Sequence, residues 1–402
     1  MILNVEKIRK DFPIYKFNSG LVYLDNAAST LKPKVVIDMV DHYYSHLGVN
    51  VHRGVYGLSY EATDLYEEAR KKVARFLNAG EDEVIFTRGT TTSLNIVADH
   101  YLDILKPGDE IITSELEHHS SFLPWLNVSK KTGATLKFVE LDDEGKITIE
   151  NFKKVLSGNT KVVALTYISN VMGHLVPVEE IVKLSKEKGA ITVVDAAQAA
   201  PHIKIDVKTL GCDFLAFSGH KTLGPTGIGV LYARRELIEA LEPTEFGGEM
   251  VQEVTKSGAT YKQGPFKFEA GTPIISGAIG LGKALEYIES IGLNKIHDHI
   301  KRLHDYTISK LEGLEDIEIY NKDSDTGLIT FNIKGIHPHD AASIFDKNGV
   351  CLRAGHHCAQ LITKWLNQIA TLRVSFYIYN DYEDCNIFIK SVIETRDYFK
   401  KF

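Results

Sequence analysis

The sequence predicts an α/β protein built on a large, mostly parallel sheet, with a second and smaller α/β domain after it. Near-continuous apolar runs read as strands covered on both faces: EVIFT (83–87), DEIITS (109–114), KVVALTYIS (161–169), AITVVDAA (190–197) and DFLAFS (213–218). Amphipathic stretches such as SLNIVADHYLDIL (93–105) and PVEEIVKLSKEKG (177–189) alternate with them at helical spacing. Over residues 275–315 the pattern becomes one long helix, followed by the strand-like runs GLITFNIKG (327–335) and LRVSFYIYN (372–380), each with a helix after it. The expected division is a large domain over 21–290 and a small domain formed by 1–20 and 291–402. Ligands of such sheets bind at the carboxyl ends of strands, so the polar residues that close the apolar runs are the candidates for chemistry.

Composition narrows the function classes. The 402 residues are 44% hydrophobic and 25% charged, a globular mix, with a net charge of −7 and basic residues scattered singly. That distribution argues against nucleic acid or an anionic membrane surface as the main partner. The start, MILNVEKIRKDF, carries charge where a signal peptide needs an apolar core. No apolar run approaches the roughly 20 residues that span a bilayer. Four cysteines, none in a C-x-x-C pair, give no disulfide framework and no all-protein metal site, and the expected compartment is a reducing cytoplasm.

Three segments combine into one candidate site. SGHKTLGPTGIGVLY (218–232) places Lys221 just past a strand end in a glycine-loosened loop. Lysine is the side chain that forms Schiff bases with carbonyl compounds, although a lone lysine is ordinarily a solubilising group. Asp195 closes the buried-looking strand ITVVD, where a carboxylate needs a partner: a protonated ring nitrogen, or a nearby turn or helix start that it caps. RGTTTSLN (88–95) opens a helix, so the Gly89, Thr90 and Thr91 backbone and hydroxyl groups form either a phosphate cradle or an ordinary capped start. His118, in LEHHSSFLPW, either faces a ring or packs as a hydrogen-bonded histidine.

A second constellation carries a thiol. Cys358 lies in RAGHHCAQ beside His356 and His357, polar surroundings that suit an activated thiolate, whereas Cys212, Cys351 and Cys385 sit in apolar patterns and read as core filler. Arg373, at the start of a strand-like run, needs an anion, which is a substrate carboxylate or an acidic side chain of the chain itself.

Taken together, LDNAAST, VHRG, RGTTTSLN, EHH, SNVMG, DAAQ, SGHKTLGPTGIGVLY, FEAGTP and RAGHHCAQ resemble the motifs of group II cysteine desulfurases, the Suf-type and selenocysteine-lyase-like enzymes, from about residue 4 to 395. The resemblance implies the pyridoxal-phosphate-dependent aminotransferase-like fold (fold type I). It implies Lys221 as the lysine that carries the cofactor and Asp195 as partner of the ring nitrogen. Asn170 and Gln198 would lie near the ring hydroxyl or substrate carboxylate, His118 on the ring face, and Thr90, Thr91, Ser218 and His220 at the phosphate. Thr272, in FEAGTP, would reach the phosphate of the partner subunit in a homodimer. Arg373, with Asn170 and Ala28, would bind the substrate, L-cysteine. Cys358 would take its sulfur as a persulfide, leaving alanine, and pass it to a SufU-like or SufE-like acceptor for iron–sulfur cluster assembly. Selenocysteine lyase uses the same residues and is the alternative. Close relatives read CAQP where Leu361 follows Gln360 here, a departure that removes no chemical group. His337 and His339, in GIHPHD, read as turn residues or, for His339, as a docking group for a zinc-binding acceptor.

Overall fold

The computed structural model describes residues 3–401. Seven strands form the main sheet: β1 (Val84–Thr87), β2 (Glu110–Ser114), β3 (Thr135–Val139), β4 (Thr160–Thr166), β5 (Ile191–Asp195), β6 (Phe214–Ser218) and β7 (Gly229–Ala233). Their order is β1-β7-β6-β5-β4-β2-β3, and all bonded pairs are parallel except those of β7 with β6 and β1. The five runs read as strands in the sequence are all strands here, with ends shifted by one to a few residues. Along β4, Val162 and Ala164 enter one core cluster while Val163 and Leu165 enter the other, and Phe214 to Phe217 of β6 alternate in the same way. A sheet buried on both faces therefore shows no polar alternation. Each fully buried Val, Leu or Phe on it contributes about 1.5–3 kcal/mol.

The smaller sheet is antiparallel, with β8 (Ile317–Ile319), β9 (Leu328–Ile333), β10 (Arg353–Gly355) and β11 (Thr371–Ser375) in the order β8-β9-β11-β10. Helices Pro338–Lys347 and Tyr382–Phe399 cover it through Ala341, Phe345, Phe388 and Val392. Three details differ from the sequence reading. The single long helix is two, Ile275–Ile291 and Leu293–Leu311, parted at Gly292, whose φ of +95° only glycine adopts cheaply. The run 372–380 leaves the sheet after Ser375, and Tyr377 and Tyr379 turn into the large core. Val22 and Tyr23 pair with Val350 and Cys351, and Val22 packs with the C-terminal cluster, although the expected boundary at residue 21 put it with the large domain. An exposed hairpin, Val251–Thr255 with Gly258–Tyr261, had no counterpart in the sequence reading.

Candidate active site

A cavity of about 230 Å³ opens where β4, β5 and β6 end, closed by Thr166, Asp195 and Ser218. Its phosphate-like corner is set by a close backbone contact. A Cβ on Gly229 would lie 2.4 Å from Gly89 Cα, so glycine at 229 lets the helix Thr90–His100 start directly against the sheet. There Ser218 Oγ accepts from the Thr90 N–H at 2.8 Å and shares a bond of 2.7 Å with the Thr90 hydroxyl. Thr91 Oγ1 bonds Ser120 Oγ at 2.7 Å. The first N–H groups of a helix have no partners within it, and with these hydroxyls they suit an anion.

Lys221 and Asp195 line the same cavity. Burial lowers the Lys221 amine to about 8, with Asp195 opposing that shift and Arg373 and Arg353 adding to it. Asp195 is buried, accepts one hydrogen bond, from the Ala197 N–H at 2.9 Å, and has its pKa raised by desolvation. It caps its own turn, yet no cation of the chain is bonded to it among the described residues. His118 also lines the cavity and caps the helix His119–Thr132 through Nδ1, which accepts from the Ser120 N–H at 3.1 Å. An accepting Nδ1 leaves the proton on Nε2. Burial, then the charge of Lys221, lowers His118 to about 3, so the ring is neutral. His220 reaches the cavity too, lowered to about 4 by burial and by Lys221 and Lys32.

Ala28, Asn170, Gln198 and Arg373 complete the wall. Gln198 donates to the Ala27 carbonyl at 2.8 Å, which holds the Ala28 segment in place. Arg373 is buried and donates to the Asn170 carbonyl at 2.8 Å and, less closely, to Asp25 at 3.3 Å. Its Nε and the Asn170 Oδ1 are buried without a partner. Arg353 of β10 sits directly opposite Arg373 of β11 and lines the cavity without an acidic partner among the described residues. Like charges facing across strands are destabilising unless an anion lies between them. Sequence reading missed Arg353, because only the strand register brings it to Arg373.

Cys358 is exposed and stands at the edge of this cavity rather than on its wall; His357 lines it instead. His357 and Cys358 have φ of +52° and +55°, a region non-glycine residues adopt only when their surroundings hold them there. The holding bonds run from the His119 N–H to the Cys358 carbonyl at 2.7 Å, from Gln360 N–H to His119 Nε2 at 3.2 Å, and from Asn170 Nδ2 to the His357 carbonyl at 2.8 Å. The expectation that both flanking imidazoles serve the thiol is therefore corrected for His357. Its ring is buried, bonded to Thr371 Oγ1 at 2.9 Å, and pushed well below its ordinary pKa by burial. His119, which the sequence reading passed over, clamps the turn. His339 lies close by, its Nε2 3.8 Å from where a Cβ on Gly355 would be.

Thr272 is not brought to this cavity. It lines a second one, of about 500 Å³, which shares Thr91 with the first. Glu269 anchors its segment by a two-bond contact with buried Arg70 at 2.8 and 2.9 Å. No cluster of three or more metal-ligating side chains occurs among the described residues.

The groups of this cavity fit pyridoxal phosphate: a buried lysine amine, a buried carboxylate without a bonded cation, helix-start N–H and hydroxyl groups, and two facing arginines of which only Arg373 meets an acid, Asp25. Residues 22–388 match the Aminotransferase class-V family model. The chain is 50% identical over 402 residues to a protein of Halalkalibacterium halodurans named probable cysteine desulfurase, covering 99% of each. Among solved structures, it superimposes on an apo cysteine desulfurase from Thermococcus onnurineus NA1 with a TM-score of 0.94 and 42% identity, over 100% of this chain and 99% of that one. The cysteine desulfurase CsdA from Escherichia coli, in an S-sulfonic acid form, gives 0.93 and 36%, over 99% of this chain and 100% of that one.

Proposed function

The chain belongs to the Aminotransferase class-V family of pyridoxal phosphate enzymes, and from that premise we propose that it is a cysteine desulfurase that converts L-cysteine to L-alanine. The observation that carries the reading is the exposed Cys358 held beside a buried lysine–aspartate cavity. Pyridoxal phosphate, when bound, supplies the electron sink that makes the substrate Cα–H acidic and weakens the Cβ–S bond. Lys221 would carry the cofactor, and its amine would take the Cα proton, a role supported by its lowered pKa of about 8. Asp195 would hold the ring nitrogen, Thr90, Thr91, Ser218 and His220 the phosphate, and Asn170 and Gln198 would lie beside the ring. Arg373 would take the substrate carboxylate, giving Arg353 the anion it lacks and Arg373 a second one beside Asp25. Neutral His118, with its Nε2–H, would face the ring and hold or move a proton there.

The Cys358 thiolate attacks the substrate sulfur. An S–S bond forms as Cβ–S breaks, the bonding pair leaves with the carbon fragment, and that fragment gains a proton and departs as alanine. One sulfur then stays on Cys358 as a persulfide. Incubating the holoenzyme with L-cysteine and a reductant should yield alanine and sulfide in equal amounts; Cys358→Ser making them at the wild-type rate would refute the persulfide role.

The active unit is proposed to be a homodimer. Thr272 lies across Thr91 from the Lys221 cavity within one chain, and Tyr44, Val55, Tyr56, Tyr60 and Phe246 are exposed. Both observations support a second copy of the chain that offers its own Thr272. Sedimentation should give twice the chain mass. The persulfide would pass to an acceptor of the SufU or SufE kind for iron–sulfur assembly, and His339 beside the Cys358 turn supports the zinc-binding type. Transfer unaffected by His339→Ala would remove that support. The four free cysteines agree with a cytoplasmic location.

A further inference from the structure

Strands β2 and β4 pair only as far as Ile112 and Val163, and beyond that register they part. The gap opens at the cavity, since Thr166 ends β4 and lines it. Parted strands leave N–H groups that need other acceptors. Here Thr166 N–H donates to Glu117 Oε1 at 3.1 Å, and the hydroxyl of Ser114, last residue of β2, donates to the same oxygen at 2.7 Å. Glu117 is 1% exposed; its Oε2 meets no partner at full hydrogen-bond geometry, and the Ser121 side chain also acts on the carboxyl. The ionisable group acting on it from another element is Asp195, whose register partner is Thr166. His118 follows Glu117 in the chain.

We infer that Glu117 is a positioning residue whose carboxyl group staples the parted ends of β2 and β4, and so fixes both His118 and the Thr166–Asp195 edge of the cavity. The inference rests on the cofactor reading above, because Asp195 and His118 are the groups it orients. An ionised carboxylate in this place would be buried without a cation and close to Asp195, which favours the protonated form. Burial accordingly pushes Glu117 up to about 7. An uncharged carboxyl offers one oxygen to two donors without adding charge beside Asp195.

The test compares Glu117→Gln and Glu117→Ala holoenzymes with wild type, reading cofactor loss on dialysis from the visible absorbance. The glutamine keeps the doubly accepting oxygen and should retain cofactor within about twofold. The alanine should lose it about tenfold faster, the size of two lost hydrogen bonds. A second readout is unfolding of the cofactor-free chain. Between the ordinary carboxyl value of 4.5 and about 7 the folded chain holds a proton that the unfolded chain releases, so wild-type stability should fall as pH rises through that window. Glu117→Gln should lack that component. A glutamine variant that loses cofactor as fast as the alanine variant, or an alanine variant that holds it like wild type, would overturn the inference. If the alanine variant does not fold, the glutamine variant decides against wild type: cofactor loss within about twofold supports the inference, and loss about tenfold faster overturns it. A wild type that binds cofactor yet makes no alanine would refute the desulfurase reading and leave this test standing.

Discussion

Lys221 lies in a cavity walled by strand ends and buried polar side chains, whereas Cys358 lies on an exposed turn held against the His118–His119 corner by backbone hydrogen bonds. In the first region almost every polar group is fixed by a second one: Ser218 by Thr90, Gln198 by the Ala27 carbonyl, Arg373 by the Asn170 carbonyl. Preorganised dipoles of that kind suit chemistry in which charge moves within a bound ring. In the second region two consecutive residues hold positive φ, at about 1–3 kcal/mol each, and the cysteine is exposed. That arrangement suits a group that must meet a substrate sulfur and then present it to another protein. One site demands rigidity and the other access, and Asn170 touches both, through its side chain on the His357 carbonyl and its own carbonyl on Arg373.

Substitutions can separate the two regions. The largest effect is expected from Lys221→Ala, which would remove the proposed cofactor attachment and the proposed proton acceptor together. Alanine formation should fall by about 10²–10⁴-fold or more, with the Cys358 turn unchanged in its reactivity toward a thiol reagent. Arg373→Lys keeps a positive charge but loses the planar fork, and the KM for L-cysteine should rise about tenfold or more. Gly229→Ala forces a Cβ into the Gly89 backbone, so cofactor affinity and Tm should both drop, with about 1–3 kcal/mol of stability lost. Smallest is Thr371→Val, which deletes the His357 bond at about 1 kcal/mol. It should slow sulfur transfer severalfold while leaving the cofactor spectrum as in wild type.

The parallel sheet was legible because strands buried on both faces are written as unbroken apolar runs, and Asp195 and Ser218 stood out as polar residues closing them. Lys221 and Cys358 were legible through the chemistry of their neighbours. The break at Gly292 was hidden, since apolar spacing continues on both sides of it and a lone glycine gives only a weak signal. Arg353, His119 and Glu117 were illegible for a shared reason. Each acts on a residue that only the strand register or the docking of the turn brings near. His357 shows the converse error: adjacency to Cys358 suggested activation, whereas positive φ at both residues turns its ring into the wall.

The division between a buried reaction cavity and an exposed sulfur carrier is tested most directly by one turnover of holoenzyme with L-cysteine and no reductant, measuring alanine and the intact protein mass together for wild type and Cys358→Ala. Wild type should gain the mass of one sulfur atom per alanine formed, and Cys358→Ala should bind cofactor normally yet gain no sulfur and release almost no alanine. Alanine at the wild-type level from Cys358→Ala would contradict the account.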